Sequence, residues 1–315
     1  PPPPSVPTSL LTDGLALRLR ATDLLAAGIR PGGRVESWAS NDGSIKLSQV
    51  DELKQPVLRM IGFANSTSVP AVVFTGANST SLTSALQLGA DQTFIAVART
   101  TTYRQAGGCC NALACTYIPT ADPTNVPPST KGISVKNVAQ SLRVLLDYDG
   151  QNNAGDEPLD SLDLVLSTRY NSAQPGNSCA RASGCNQVTE RSIPPETTQA
   201  THAISLGSRQ SDPAHLATRY FDGAILELLV YNRSLSDAEL RGVEAFVASQ
   251  YHVLTTSFNC EARPKVAEMV GSVVDLTHEA ETFFVFEENP SMDRIAEQPK
   301  ATFEAALNRT TAIER

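Results

Sequence analysis

The feature that most constrains the fold is a series of short β-type segments separated by turn residues. Residues 15–20 alternate apolar and polar side chains with the period of two that is typical of a half-buried strand. Residues 69–74 and 93–99 are apolar runs of the kind found in buried strands, and residues 203–207 and 220–231 predict two more. Many strands with few helices between them predict an all-β sandwich and not a doubly wound sheet.

Two further strand segments flank a polar loop. Residues 141–148 and 162–167 are β-rich, and the loop at 149–160 between them predicts a hairpin with a long connection. Residues 104–132 and 171–200 are rich in Cys, Pro, Asn and Gly, so we interpret them as long loops.

The sequence contains an N-terminal capping signal for one helix. Ser236 and Glu239 form a capping box, in which the serine accepts a backbone N–H and the glutamate reaches back. The apolar residues that follow at helical spacing are Leu240, Val243, Val247 and Tyr251. This pattern predicts a helix of roughly 14 residues directly after the last strand.

These landmarks resemble a known family. The run from Phe221 to Leu240, followed by residues 243–251, resembles the closing strand, Tyr-Asn-Arg, Leu-Ser-Asp-x-Glu and helix of laminin-G-like/concanavalin A-like jelly-roll domains. Residues 17–23 and Trp38 resemble the opening of those domains, and residues 70–76 a third landmark in which Thr75 replaces the family's Asp. The resemblance implies an antiparallel jelly-roll β-sandwich over residues 10–253 with one capping helix and Trp38 in its core.

The two ends of the chain lie outside this predicted domain. Residues 1–9 begin with a proline run that predicts a polyproline II linker end. The run resembles hydroxyproline-rich tracts of plant and green-algal wall glycoproteins, although an ordinary interdomain linker explains it too. The chain starts at Pro1 without a signal peptide, so we expect a processed piece of something longer. Residues 254–315 predict a short mixed α/β extension whose apolar stripe needs a partner, in docking or self-assembly.

The cysteines and sequons indicate an oxidising compartment. Six Cys without zinc spacing favour disulfides over free thiols, but six allow 15 pairings. The short loop between them makes Cys179–Cys185 the first choice, Cys110–Cys115 is a similar local pair, and Cys109–Cys260 would remain. Four N-glycosylation sequons agree with this, at Asn65, Asn78, Asn232 and Asn308. We therefore expect an extracellular protein, secreted or at a cell wall, cell surface or ciliary surface.

Charge excludes some partners. The formal net charge is −8, which provides no basic surface for nucleic acid. The longest strongly apolar stretch, residues 224–231, is short and contains Glu227, so we expect no direct membrane insertion.

Motifs for catalysis are missing from the sequence. It contains no paired-carboxylate strand, no nucleophile elbow and no phosphate-binding loop, and Glu227 stands alone in its strand. The predicted cofactor is none, with calcium as an option, because oxygen ligands cluster in one loop. The candidate calcium ligands are Asp147, Asp149, Asn152 and Asp156.

Three hypotheses follow for function. The first is a non-catalytic structural or adhesive module of an extracellular glycoprotein that binds other glycoproteins or itself. The second is a glycan-binding lectin-like domain, for which Tyr103, Tyr117 and Tyr170 in or beside the long loops are candidate stacking residues. The third and weakest is a polysaccharide-active enzyme.

Overall fold

The structure is a computed structural model, and it describes residues 9–64, 66–100, 111–117, 131–138, 141–148, 151–154, 163–174, 178–183, 185–188, 201–208 and 220–253. The chain divides into two compact units, Pro1–Arg263 and Pro264–Arg315. All described residues belong to the first unit. The described residues end at Val253, so the 254–315 extension lies outside them.

The described unit is an all-β sandwich of two antiparallel sheets with eight strands each. Its strands are β1 (Leu15–Arg20), β2 (Ser37–Ala39), β3 (Lys46–Ser48), β4 (Val57–Phe63), β5 (Ser66–Phe74), β6 (Leu82–Gln87), β7 (Gln92–Thr100), β8 (Asn111–Tyr117), β9 (Lys131–Val138), β10 (Ser141–Tyr148), β11 (Gln151–Ala154), β12 (Asp163–Tyr170), β13 (Cys179–Ala182), β14 (Cys185–Val188), β15 (Thr201–Leu206) and β16 (Gly223–Tyr231). Two α-helices accompany them, α1 (Ala21–Ala26) and α2 (Asp237–Gln250).

Sheet A has the order β14-β13-β12-β7-β16-β5-β4, and β1 also pairs with β16. Sheet B has the order β11-β10-β9-β8-β15-β6-β3-β2. The core between the sheets contains Trp38, which is fully buried as predicted and donates its indole N–H to the Arg20 carbonyl oxygen at 3.2 Å.

The predicted hairpin of residues 141–148 with 162–167 is wrong. Strand β10 pairs with β9 and β11 in sheet B, whereas β12 pairs with β7 and β13 in sheet A. The two segments are adjacent in sequence but lie in different layers.

The predicted helix is confirmed as α2, which spans 14 residues. The Ser236 hydroxyl accepts the Glu239 N–H at 3.3 Å, and the Glu239 carboxylate accepts the Ser236 N–H at 2.8 Å, so both halves of the capping box form. Leu240, Val243 and Val247 are buried against the outer face of sheet A. No helix in the described ranges is long and apolar enough to span a membrane.

Candidate functional site

The strand register of sheet B aligns one small or polar residue from every strand in a continuous cross-strand line, which we call the polar row. Its members, in sheet order, are Asn152, Asp147, Gly132, Cys115, Ser205, Thr83, Ser48 and Ser37. Neighbouring strands lie about 4.8 Å apart, so eight strands give the row a length of roughly 34 Å.

The alternation of side chains along each strand explains the row. Trp38, Leu47, Leu82, Ile133 and Leu206 pack into the core between the sheets. Because successive strand residues face opposite sides, the residue next to each of these lies on the outer face. The row therefore consists of the strand positions that lie next to the core residues of sheet B and face away from the core.

The row is accessible to solvent where it crosses β2, β3 and β6. Ser48 is exposed, and Ser37 and Thr83 are half-buried, so three neighbouring strands present hydroxyl groups to solvent. Further along the row, Cys115 and Ser205 are buried. Among the row residues whose exposure the structure describes, the reachable ones therefore lie at the β2–β3–β6 end.

The buried part of the row is joined by hydrogen bonds. The hydroxyls of Ser205 and Ser208 lie 2.8 Å apart, and the Cys115 thiol donates to the Ser208 carbonyl oxygen at 3.4 Å. These contacts hold Ser208, which follows the end of β15, next to the centre of the row.

Of the three candidate stacking tyrosines, the structure places the side chain of Tyr170. Tyr170 is fully buried, and its hydroxyl exchanges two hydrogen bonds of 2.8 Å with the backbone of Gly132. Its ring packs edge-to-face on Phe94 at 6.2 Å between centroids. The prediction of Tyr170 as a glycan contact is therefore wrong, because this side chain connects the two sheets inside the core.

The other two tyrosines remain predictions. Tyr117 is the last residue of β8, in register with Ala203, and Tyr103 lies outside the described residues.

The candidate calcium ligands are only partly placed. The strand register pairs Asp147 with Asn152 on β10 and β11. Asp149 and Asp156 lie outside the described residues. Within the described ranges, no group of three or more His, Cys, Asp or Glu side chains is arranged to hold a metal ion.

The predicted disulfide Cys179–Cys185 is wrong. Cys179 is a buried free thiol that packs on the outer side of sheet A. The register pairs Cys185 with Ala182, which packs in the core between the sheets. Cys179 and Ala182 are three residues apart on β13, and strand positions three residues apart lie on opposite faces of a sheet. The β13–β14 hairpin therefore places Cys179 on the face opposite to the Ala182–Cys185 pair.

The other two predicted cysteine pairs each include residues outside the described part of the chain. The Cys115 sulfur lies 3.4 Å from the Ser208 carbonyl oxygen, and the predicted Cys110–Cys115 and Cys109–Cys260 bridges stay predictions. Cys109, Cys110 and Cys260 themselves lie outside the described residues. Burial raises the pKa of the Cys179 thiol, although Arg169 and Arg181 partly oppose that shift.

Two of the sequons are placed by the structure. Asn78 is exposed at the end of a short 3-10 turn, Gly76–Asn78. Asn232 is exposed too, but its side-chain oxygen accepts a hydrogen bond from the Gly89 N–H. Asn65 and Asn308 lie outside the described residues.

The carboxylate that the sequence singled out, Glu227, lies beneath α2 on sheet A. It is fully buried, and Arg18 Nε lies 2.7 Å from one carboxylate oxygen. Among the described residues the second oxygen has no hydrogen-bond partner, and Glu227 adds to the burial effect that raises the pKa of Tyr251. A β-bulge between Ile225 and Glu227 marks the point where β16 changes neighbour from β5 to β1.

A second buried carboxylate fixes the helix. Glu244 of α2 accepts from Arg181 Nε at 2.9 Å and from the Ser167 hydroxyl at 2.5 Å. The guanidinium of Arg169 binds Asp237 at 2.6 Å, near the start of the same helix. These carboxylates dock α2 on sheet A, on the side of the sandwich opposite the polar row.

Comparison with known proteins shows the fold. No family model and no curated protein sequence matches the chain. A solved structure of Trypanosoma rangeli sialidase in complex with sialic acid is similar, with a TM-score of 0.50, 13% identity, 79% of this chain and 36% of that chain covered. A variant of a GH54 α-L-arabinofuranosidase soaked with 4-nitrophenyl α-L-arabinofuranoside also has a TM-score of 0.50, with 12% identity, 76% of this chain and 60% of that chain covered.

These matches correct the first functional hypothesis. The expectations of a non-catalytic structural or adhesive module, and of a protein that is not an enzyme, are wrong, because the two fold neighbours are glycosidases with sugar ligands. The comparisons agree with a β-sandwich but show neither a laminin-G-like family nor a plant or algal origin. The chain spans about a third of the sialidase chain and three fifths of the arabinofuranosidase chain.

Proposed function

We propose that the chain is part of a carbohydrate-active protein, and that the accessible end of the polar row contacts the sugar. The observation that carries the proposal is the line of hydroxyl-bearing residues at Ser37, Ser48 and Thr83 on three adjacent strands. A hydroxyl both donates and accepts hydrogen bonds, which suits the mixed donors and acceptors of a sugar. The sugar ligands of the two glycosidases with this fold support the same class of ligand.

The proposal assigns sugar contact to this face and a cleavage step to no residue. Glycoside hydrolysis generally needs two carboxyl groups that flank the scissile bond. Glu227 is buried in an ion pair beneath α2, Glu244 of α2 is buried in an ion pair with Arg181, and Asp163 binds Arg99 at 2.5 Å. Because arginines of sheet A bind these three carboxylates, none of them reaches the polar row on sheet B.

Four further elements belong to the proposal. The landmark residues at both ends of the domain support jelly-roll connectivity and a relationship to concanavalin A-like domains. The proline run and the sequons support an extracellular location. The register of Asp147 with Asn152 next to the predicted loop supports calcium as an optional ligand. The apolar stripe predicted in 254–315 supports an assembly role for that segment.

The test is a panel of oligosaccharides and polysaccharides, neutral and acidic, with sialosides and arabinofuranosides included. The full chain is measured by calorimetry in calcium and again in a chelator, and each bound glycan is then assayed for cleavage. Saturable binding to at least one glycan is expected, and the absence of binding to every member would overturn the proposal. A loss of binding in chelator would support the calcium element, and unchanged binding would remove it.

The assembly element needs its own measurement. Sedimentation of the full chain and of a chain ending at residue 253 is expected to show a smaller assembly for the shorter chain. Equal sizes would contradict it.

A further inference from the structure

We draw no further inference here: the strongest candidate, the two exposed aliphatic side chains Val50 and Leu53 on the segment that follows β3, carries none because nothing in the described part of the chain shows what covers them.

Discussion

The Tyr170 hydroxyl donates to the Gly132 carbonyl oxygen and accepts from the Gly132 N–H, both at 2.8 Å, so one side chain of sheet A satisfies a backbone unit of sheet B. Both residues are buried. Without this hydroxyl, the Gly132 N–H and C=O would be left unpaired in the core, where no water replaces the lost partner, and each unpaired group would cost free energy. This contact is therefore a link between the two sheets and not part of a ligand site.

Tyr170→Phe tests that link. The substitution keeps the ring that packs on Phe94 and removes only the hydroxyl, so we expect a loss of about 1–3 kcal/mol in the free energy of unfolding. Urea denaturation measures it, and glycan binding should stay unchanged. Equal stability of the variant and the unsubstituted chain would show that Gly132 finds other partners.

The buried pair of Glu244 and Arg181 tests how α2 is held. Glu244→Leu leaves the Arg181 guanidinium buried without this carboxylate, and such a loss typically costs about 3–5 kcal/mol. Replacing both residues, as Glu244→Leu with Arg181→Met, removes both charges and should recover a large part of that cost. The unfolding midpoints of the two single variants and the double variant give the coupling. Additive effects would mean that the pair contributes nothing specific.

Glu239 at the start of α2 gives a pH dependence. The hydrogen bond from Arg233, with help from the Ser236 N–H, lowers the pKa of Glu239 from 4.5 to about 2. A carboxyl group whose pKa is lower in the folded state stabilises the fold above its unfolded pKa. This contribution should therefore be complete above about pH 5 and disappear as the pH falls toward 2.

The check compares the unsubstituted chain with Glu239→Gln by urea denaturation at pH 6, 4 and 2. The difference in stability should be largest at pH 6 and smallest at pH 2. Because the side chain is one third exposed, solvent screening keeps the effect small. A difference that is constant with pH would rule out the titration of Glu239 as its source.

The thiol state of Cys179 can be read by mass spectrometry. Burial and the raised pKa should protect this thiol from alkylation in the native protein, and unfolding without reductant should expose it. The expected result is labelling of Cys179 only after denaturation. A disulfide-linked peptide that joins Cys179 to Cys185 would contradict the register of β13 and β14.

Local signals in the sequence predicted local structure well. The capping box at Ser236 and Glu239 predicted α2, and the alternation in residues 15–20 predicted β1. Each of these patterns depends only on residues that are close together in the sequence. Pairing between strands depends on distant residues. The sequence therefore could not show that β10 and β12 lie in different sheets.

The same limit applies to the candidate site. The polar row needs the register of eight strands, and no spacing in the sequence reveals that Ser48, Thr83 and Ser205 lie side by side. Alternation within each strand was the one available signal. Tyr170 looked like a loop-side tyrosine because its partner Gly132 is 38 residues away in sequence.

The most direct test of the central claim is the dissociation constant of the best glycan from the panel, measured for Ser48→Arg and for Ala238→Arg. Both positions are exposed. Ser48 lies on the polar row of sheet B, whereas Ala238 lies on α2, the helix that packs on the outer face of sheet A. A long charged side chain on the row should weaken binding about tenfold or more, which corresponds to about 1.4 kcal/mol, while Ala238→Arg should leave it unchanged. Equal affinity of both variants and the unsubstituted chain would contradict the assignment of sugar contact to the outer face of sheet B.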